Sequence, residues 1–152
     1  MTLFKSTPLA LIAAVVSGLA FAQTPGVNVD VKGAWVRSTV PGQKGTGAFM
    51  KITAKEGARL VGVLTPAAGV AEVHEMKMDN DIMKMRALPF LDLPAGKAVE
   101  FKPGGYHMML MDLKRPLAVG SKVPMTLVFK DAKGVQSKLE LSLPVSTVAP
   151  KN

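Results

Sequence analysis

Cysteine is absent from all 152 residues. That removes disulfides, thiolate zinc sites, Cys/His nucleophiles and the blue-copper centre, which needs a Cys thiolate. Histidine is almost absent, with two residues, and there is one tryptophan and one tyrosine. Acidic residues are few, 11 against 19 Lys and Arg, for a net charge of +8. The basic residues are spread along the chain, which disfavours a nucleic-acid footprint. They suit an acidic partner surface, an anionic membrane or plain solubility. Beyond the first 22 residues no apolar run is long enough to span a bilayer. No Ser/His/Asp arrangement and no phosphate-cradling glycine motif is present, so nothing points to an enzyme.

The first segment reads as a leader. Lys5 supplies a positive start, Pro8 to Gly18 is apolar, and Ala20-Phe21-Ala22 is a small-x-small cleavage site. Residues 1–22 are therefore expected to be a secretory signal peptide, with the mature chain starting near Gln23 in the periplasm. No cysteine is present for lipid attachment. Residues 23–32 read as a flexible lead-in, 33–145 as one domain and 146–152 as a flexible tail. About 130 residues suffice for one hydrophobic core.

Within that domain the pattern is all-β. Strands are predicted at Ala34–Ser38, Gly47–Thr53, Leu60–Leu64, Ala71–Met78, Ile82–Ala87, Ala98–Lys102, His107–Leu113, Val123–Lys130 and Val135–Leu143. Alternation is clearest in the last two, where Val123, Met125, Leu127 and Phe129 form one face and Leu139, Leu141 and Leu143 another. No window sustains a helical period. Short, mostly antiparallel strands with frequent turn signals predict a β-sandwich or barrel. Trp35 reads as a core anchor or as a wall near the site.

Methionine is what the chain does have. Seven of its ten methionines, and both histidines, fall in two short windows, His74 to Met85 and His107 to Met111. Methionine often merely fills core gaps, but that does not explain the clustering around both imidazoles. Imidazole and thioether are the chain's soft ligands, and together they suit copper, above all Cu(I). The set is too poor in oxygen for calcium or magnesium. Strand alternation puts His74, Met76 and Met78 on one face, and His107, Met109 and Met111 on one face, with Met108 turned into the core. A two-residue loop at Asp79-Asn80 would pair Met78 with Asp81, Met76 with Met83 and His74 with Met85, with opposed Cβ atoms about 4.5–5.5 Å apart. Glu75, Asp79 and Asp81 read as turn and outer-face charges. Tyr106 is a candidate to orient His107, or an ordinary half-buried strand residue.

Ten residues separate His74 from Met85, twenty-one separate Met85 from His107, and one separates His107 from Met109. With Val73-His74-Glu75-Met76, Pro103-Gly104-Gly105-Tyr106-His107-Met108-Met109 and Val123-Pro124-Met125-Thr126-Leu127, this pattern resembles the periplasmic copper A chaperone family, PCu(A)C. The resemblance spans roughly Gly33 to Val145. It implies a cupredoxin-like fold and one Cu(I) held by His74, Met85, His107 and Met109, with Met76, Met83 and Met111 at most accessory. It also implies delivery of copper to the copper A centre in subunit II of cytochrome c oxidase, directly or with Sco-type chaperones, by a carrier without catalytic turnover. A monomer is expected. The family's hairpin often carries glycine where this chain has Asp81. Some members have a His/Met-rich C-terminal extension, whereas this sequence ends Ala149-Pro150-Lys151-Asn152, so a single principal site is expected. Periplasmic copper storage or resistance, and a metal-free β-sandwich interaction module, are the alternative readings.

Overall fold

A computed structural model describes residues 26–151. The expected leader and the start at Gln23 lie outside the described residues. Ten strands follow in chain order: β1 (Val29–Arg37), β2 (Gly45–Ala54), β3 (Ala58–Leu64), β4 (Ala68–Asp79), β5 (Ile82–Leu88), β6 (Leu91–Leu93), β7 (Ala98–Phe101), β8 (His107–Leu113), β9 (Lys122–Lys130) and β10 (Gln136–Ser146). Among the described residues there is no helix. The fold is the all-β, cupredoxin-like class expected.

The strands run β5-β4-β8-β2-β1-β10-β9-β3-β6, with β7 paired to β2, and the ends do not close into a barrel. Two antiparallel halves are joined by the short parallel pairing of β1 with β10, at Val36↔Val145 and Arg37↔Ser146. Inward residues of both halves form one core, including Val36, Ile52, Leu60, Met108, Leu110, Leu127, Phe129 and Leu143. The alternation in β9 is borne out, with Val123, Met125, Leu127 and Phe129 all buried. Its turn into β10 is held by the Asp131 carboxylate, which accepts from the backbone N–H groups of Lys133 and Val135 at 2.9 Å each.

Most strand boundaries differ from the sequence reading by a few residues, and three differences bear on the domain limits and the core. β1 starts at Val29, inside the segment read as a lead-in, because Val29 and Val31 pair with Ala54 and Ile52. β10 continues to Ser146, because Val145 is buried and pairs with Val36. β6 was not expected: it is only three residues long, and Leu91 and Leu93 pair with β3 and face the core.

The hairpin register also differs. The loop is Asn80-Asp81, with φ of 48° and 62°, and Asp79 pairs with Ile82. A tight two-residue turn of this hand needs positive φ at both positions, and Asn and Asp tolerate it better than other non-glycine residues. Met78 therefore faces Met83, Met76 faces Met85, and His74 faces Ala87. The observed register sets Val73 beside Leu88 at the core edge and brings Glu75 to Arg86 as an ion pair. The expected register would have put Arg86 opposite buried Val73. The two registers differ by two residues, so the same side chains still share a face.

Candidate metal centre

The site forms where β4, β5 and β8 lie side by side. His74 in β4 stands directly opposite His107 in β8. Both are buried, 7% and 8% exposed, and their rings meet edge-on with centroids 5.7 Å apart. The turn before β8 aims His107. Pro103 occupies its second position and Gly104 its third, with φ of 83°, the residues a type II turn favours. The Gly105 N–H donates to the Lys102 carbonyl at 3.0 Å and closes the turn.

Each imidazole has one nitrogen tied down. The Gly105 carbonyl can only accept, so Nδ1–H of His107 donates to it at 3.2 Å and Nε2 keeps its lone pair. The Glu72 carboxylate accepts a hydrogen bond from Nε2–H of His74 at 2.9 Å, leaving the lone pair on Nδ1. That Nδ1 is buried and has no hydrogen-bond partner. A buried lone pair without a partner is unfavourable, and a metal ion would satisfy it. A carboxylate or carbonyl behind a ligating histidine is the usual way of fixing its tautomer and direction.

Beside the histidines lies an open cavity of about 370 Å³. Its lining includes Met76, Met85, His107 and Met109, with Arg37 and Phe49 on the far side. Phe49 packs on Trp35 with ring centroids 5.0 Å apart, so Trp35 buttresses a cavity wall, while the Phe49 ring lies against Gly47. Any side chain at Gly47 would collide with that ring, its Cβ falling 2.7 Å from Cζ. At Gly45 a Cβ would fall 3.1 Å from Met109 Cε, so the missing side chain there leaves room for the thioether.

Of the residues singled out by sequence, His107, Met76, Met85 and Met109 line this cavity, and His74 stands opposite His107 without lining it. Met85 is opposite Met76 and diagonal to His74, a separation that long side chains still bridge. Met83 is one rung further along the hairpin, opposite Met78, and does not line the cavity. Met111 pairs with Val70 and Gly45 and also lies outside it. Met108 is fully buried in the core, and Tyr106 packs on Phe101 instead of lining the cavity. Glu72 and the Gly105 carbonyl escaped the sequence reading. The available signal was that Glu72 sits two residues before His74, on the same strand face. Thioethers, the His107 imidazole and no carboxylate in the cavity lining, with His74 directly opposite His107, make a donor set for a soft, low-charge metal ion and a poor one for calcium or structural zinc.

Comparison with known proteins agrees with this architecture. Residues 29–144 match the family described as "Putative lipoprotein LpqE-like". "Putative lipoprotein Lxx21020" of Leifsonia xyli subsp. xyli is 36% identical over 138 residues, covering 85% of this chain and 83% of that protein. The apo PCuAC domain from PmoF1 superposes with a TM-score of 0.62 at 25% identity, covering 80% of this chain and 94% of that one. Apo-DR1885 from Deinococcus radiodurans is 31% identical with a TM-score of 0.60, over 97% of this chain and 96% of that one. Its CuI form superposes at 0.58, over 84% of this chain and 83% of that one. With the family match running from β1 into β10 and solved PCuAC domains sharing its fold, this chain belongs to the LpqE-like family of PCuAC-type proteins.

Proposed function

We propose that this protein is an exported copper chaperone that carries one Cu(I) on His74, Met85, His107 and Met109. The observation that carries the reading is the pair of facing imidazoles, each with one nitrogen tied and one lone pair free, beside a thioether-lined cavity. Support comes also from DR1885, solved with CuI and 31% identical to this chain. Names of relatives as lipoproteins support export, and the expected leader makes the periplasm the natural compartment.

Copper is cargo here, and the chemistry asked of the protein is reversible ligation. Neutral thioethers and imidazoles stabilise Cu(I) without the strong bond a thiolate forms. A Cys-bearing acceptor can therefore take the ion by ligand exchange at the open cavity. The acceptor we propose is the copper A domain of cytochrome c oxidase subunit II, loaded directly or together with a Sco-type protein. Membership of a copper chaperone-type family supports reading the protein as a carrier.

The experiment is anaerobic transfer from the Cu(I)-loaded protein to the purified soluble domain of the oxidase subunit. Delivery predicts loss of copper from this chain and gain of two copper ions by the acceptor, whose mixed-valence binuclear spectrum then appears on one-electron oxidation with added ferricyanide. Retention of copper in the presence of excess competent acceptor would refute direct delivery, and retention with a Sco-type protein added would refute delivery altogether.

A further inference from the structure

The β4–β5 hairpin reaches past the sheet. β8 accompanies β4 only as far as His74, and β5 is the outer strand, bordered by β4 alone. From Glu75 to Arg86 the two strands pair with each other, with one further backbone bond from Met76 N–H to the Gly105 carbonyl at 3.3 Å. Every residue from Ile82 to Ala87 is exposed. The two faces of this arm differ completely. One carries Glu75, Lys77, Lys84 and Arg86, with Arg86 Nε donating to Glu75 at 2.6 Å and Lys84 donating to Asp79 at 2.7 Å. The other carries Met76 and Met85 on one rung and Met78 and Met83 on the next.

Core filling does not account for these four methionines. Met78, Met83 and Met85 are 58%, 46% and 51% exposed. Strand preference does not account for them either, because strands favour β-branched and aromatic residues. The inner rung borders the cavity of the proposed copper site, and the outer rung lies beyond it with both methionines exposed. Opposed side chains on a rung have Cβ atoms about 4.5–5.5 Å apart, and the next rung lies roughly 6.5–7 Å further along the strands. The flexible methionine side chain can span such gaps.

We infer that the Met78–Met83 rung is a second, weaker binding station for a soft monovalent cation. The ion passes between this tip and the inner site by thioether exchange. The inference rests on the copper reading for the identity of the ion. At each step one sulfur–copper bond forms as another breaks. Copper stays Cu(I), and no proton moves because a thioether carries none. The tip is then where copper enters or leaves, ahead of the buried imidazoles.

The test uses Ag(I), a redox-inert stand-in for Cu(I), on the whole exported chain with 13C-labelled methionine methyl groups. The first equivalent should shift the Met85 and Met109 methyls and the two imidazole rings. The second should shift Met78 and Met83. The double variant M78L/M83L keeps the apolar volume and removes sulfur at two exposed positions. It should bind the first equivalent unchanged and lose the second by at least about tenfold in affinity. Unmoved Met78 and Met83 methyls, or a second equivalent bound equally well by the double variant, would overturn the station. That result would also leave these residues as an apolar docking rim. A first equivalent that leaves His107 and Met109 unmoved would instead overturn the copper-site reading, even if the tip still responded.

Discussion

At the scale of single residues the account turns on which atoms hold a proton and which side chains hold sulfur. Glu72 is cast as the group that keeps the His74 proton on Nε2 and the lone pair on Nδ1. Outer-sphere partners of this kind are typically worth about 10–100-fold in metal affinity. Glu72→Ala should therefore weaken Cu(I) binding within that range, and Glu72→Gln, which retains an acceptor oxygen, should weaken it less. Nitrogen NMR of His74 gives an independent check. The apo wild type should show the Nε2–H tautomer, and the alanine variant a mixture; an unchanged tautomer would remove Glu72 from the account. Met85→Leu and Met109→Leu should each lose more than the about 10–100-fold typical of an outer partner, without loss of folding. Because Met76 faces Met85 across the rung, Met76→Leu is the control. If it costs more affinity than Met85→Leu, Met76 is the ligand. The grouping of imidazole and thioether was legible in the sequence because spacing and strand alternation depend only on local order. Glu72 was not, because its role depends on a ring orientation that tertiary packing creates.

At the scale of strands and turns, alternation and turn chemistry made most of the fold readable. The Pro103-Gly104 turn and the Asp131 to Gly134 turn declare themselves through residues that backbone geometry demands. The β4–β5 loop did not, since Asp79-Asn80 and Asn80-Asp81 offer nearly the same local chemistry. Long-range partners decided between them, through Val73 against Leu88 and Glu75 against Arg86. β6 escaped for a related reason: three residues beside Pro89 and Pro94 form a strand only because β3 is there to receive them. The observed turn has a direct consequence. Asp81→Gly should be neutral or stabilising at φ of 62°, whereas Asp81→Val should destabilise by about 1–2 kcal/mol, measured by urea unfolding. Equal stability of the two variants would mean the loop lies elsewhere. Strand alternation in β8 is equally testable. Met108→Ala should destabilise by about 2–5 kcal/mol through a core cavity, yet leave the Cu(I) affinity of the folded protein unchanged, the reverse of Met109→Leu.

At the scale of the whole molecule, a closed core supports an open edge. The sandwich buries its inward residues between two halves, while the edge hairpin and the turn before β8 border the open cavity beside it. Net charge adds a long-range element. At +8 for the full sequence, approach to an acidic acceptor should be fast at low salt and slow as ionic strength rises. An association rate indifferent to salt in stopped-flow mixing would remove electrostatic guidance from the account. The central claim, that two imidazoles and two thioethers hold one Cu(I), is tested most directly by X-ray absorption of the protein loaded anaerobically with one equivalent of copper. The account predicts two nitrogen and two sulfur neighbours at copper, with sulfur reduced to one in Met109→Leu. A copper centre without sulfur, or a sulfur count unaltered by that substitution, would contradict it.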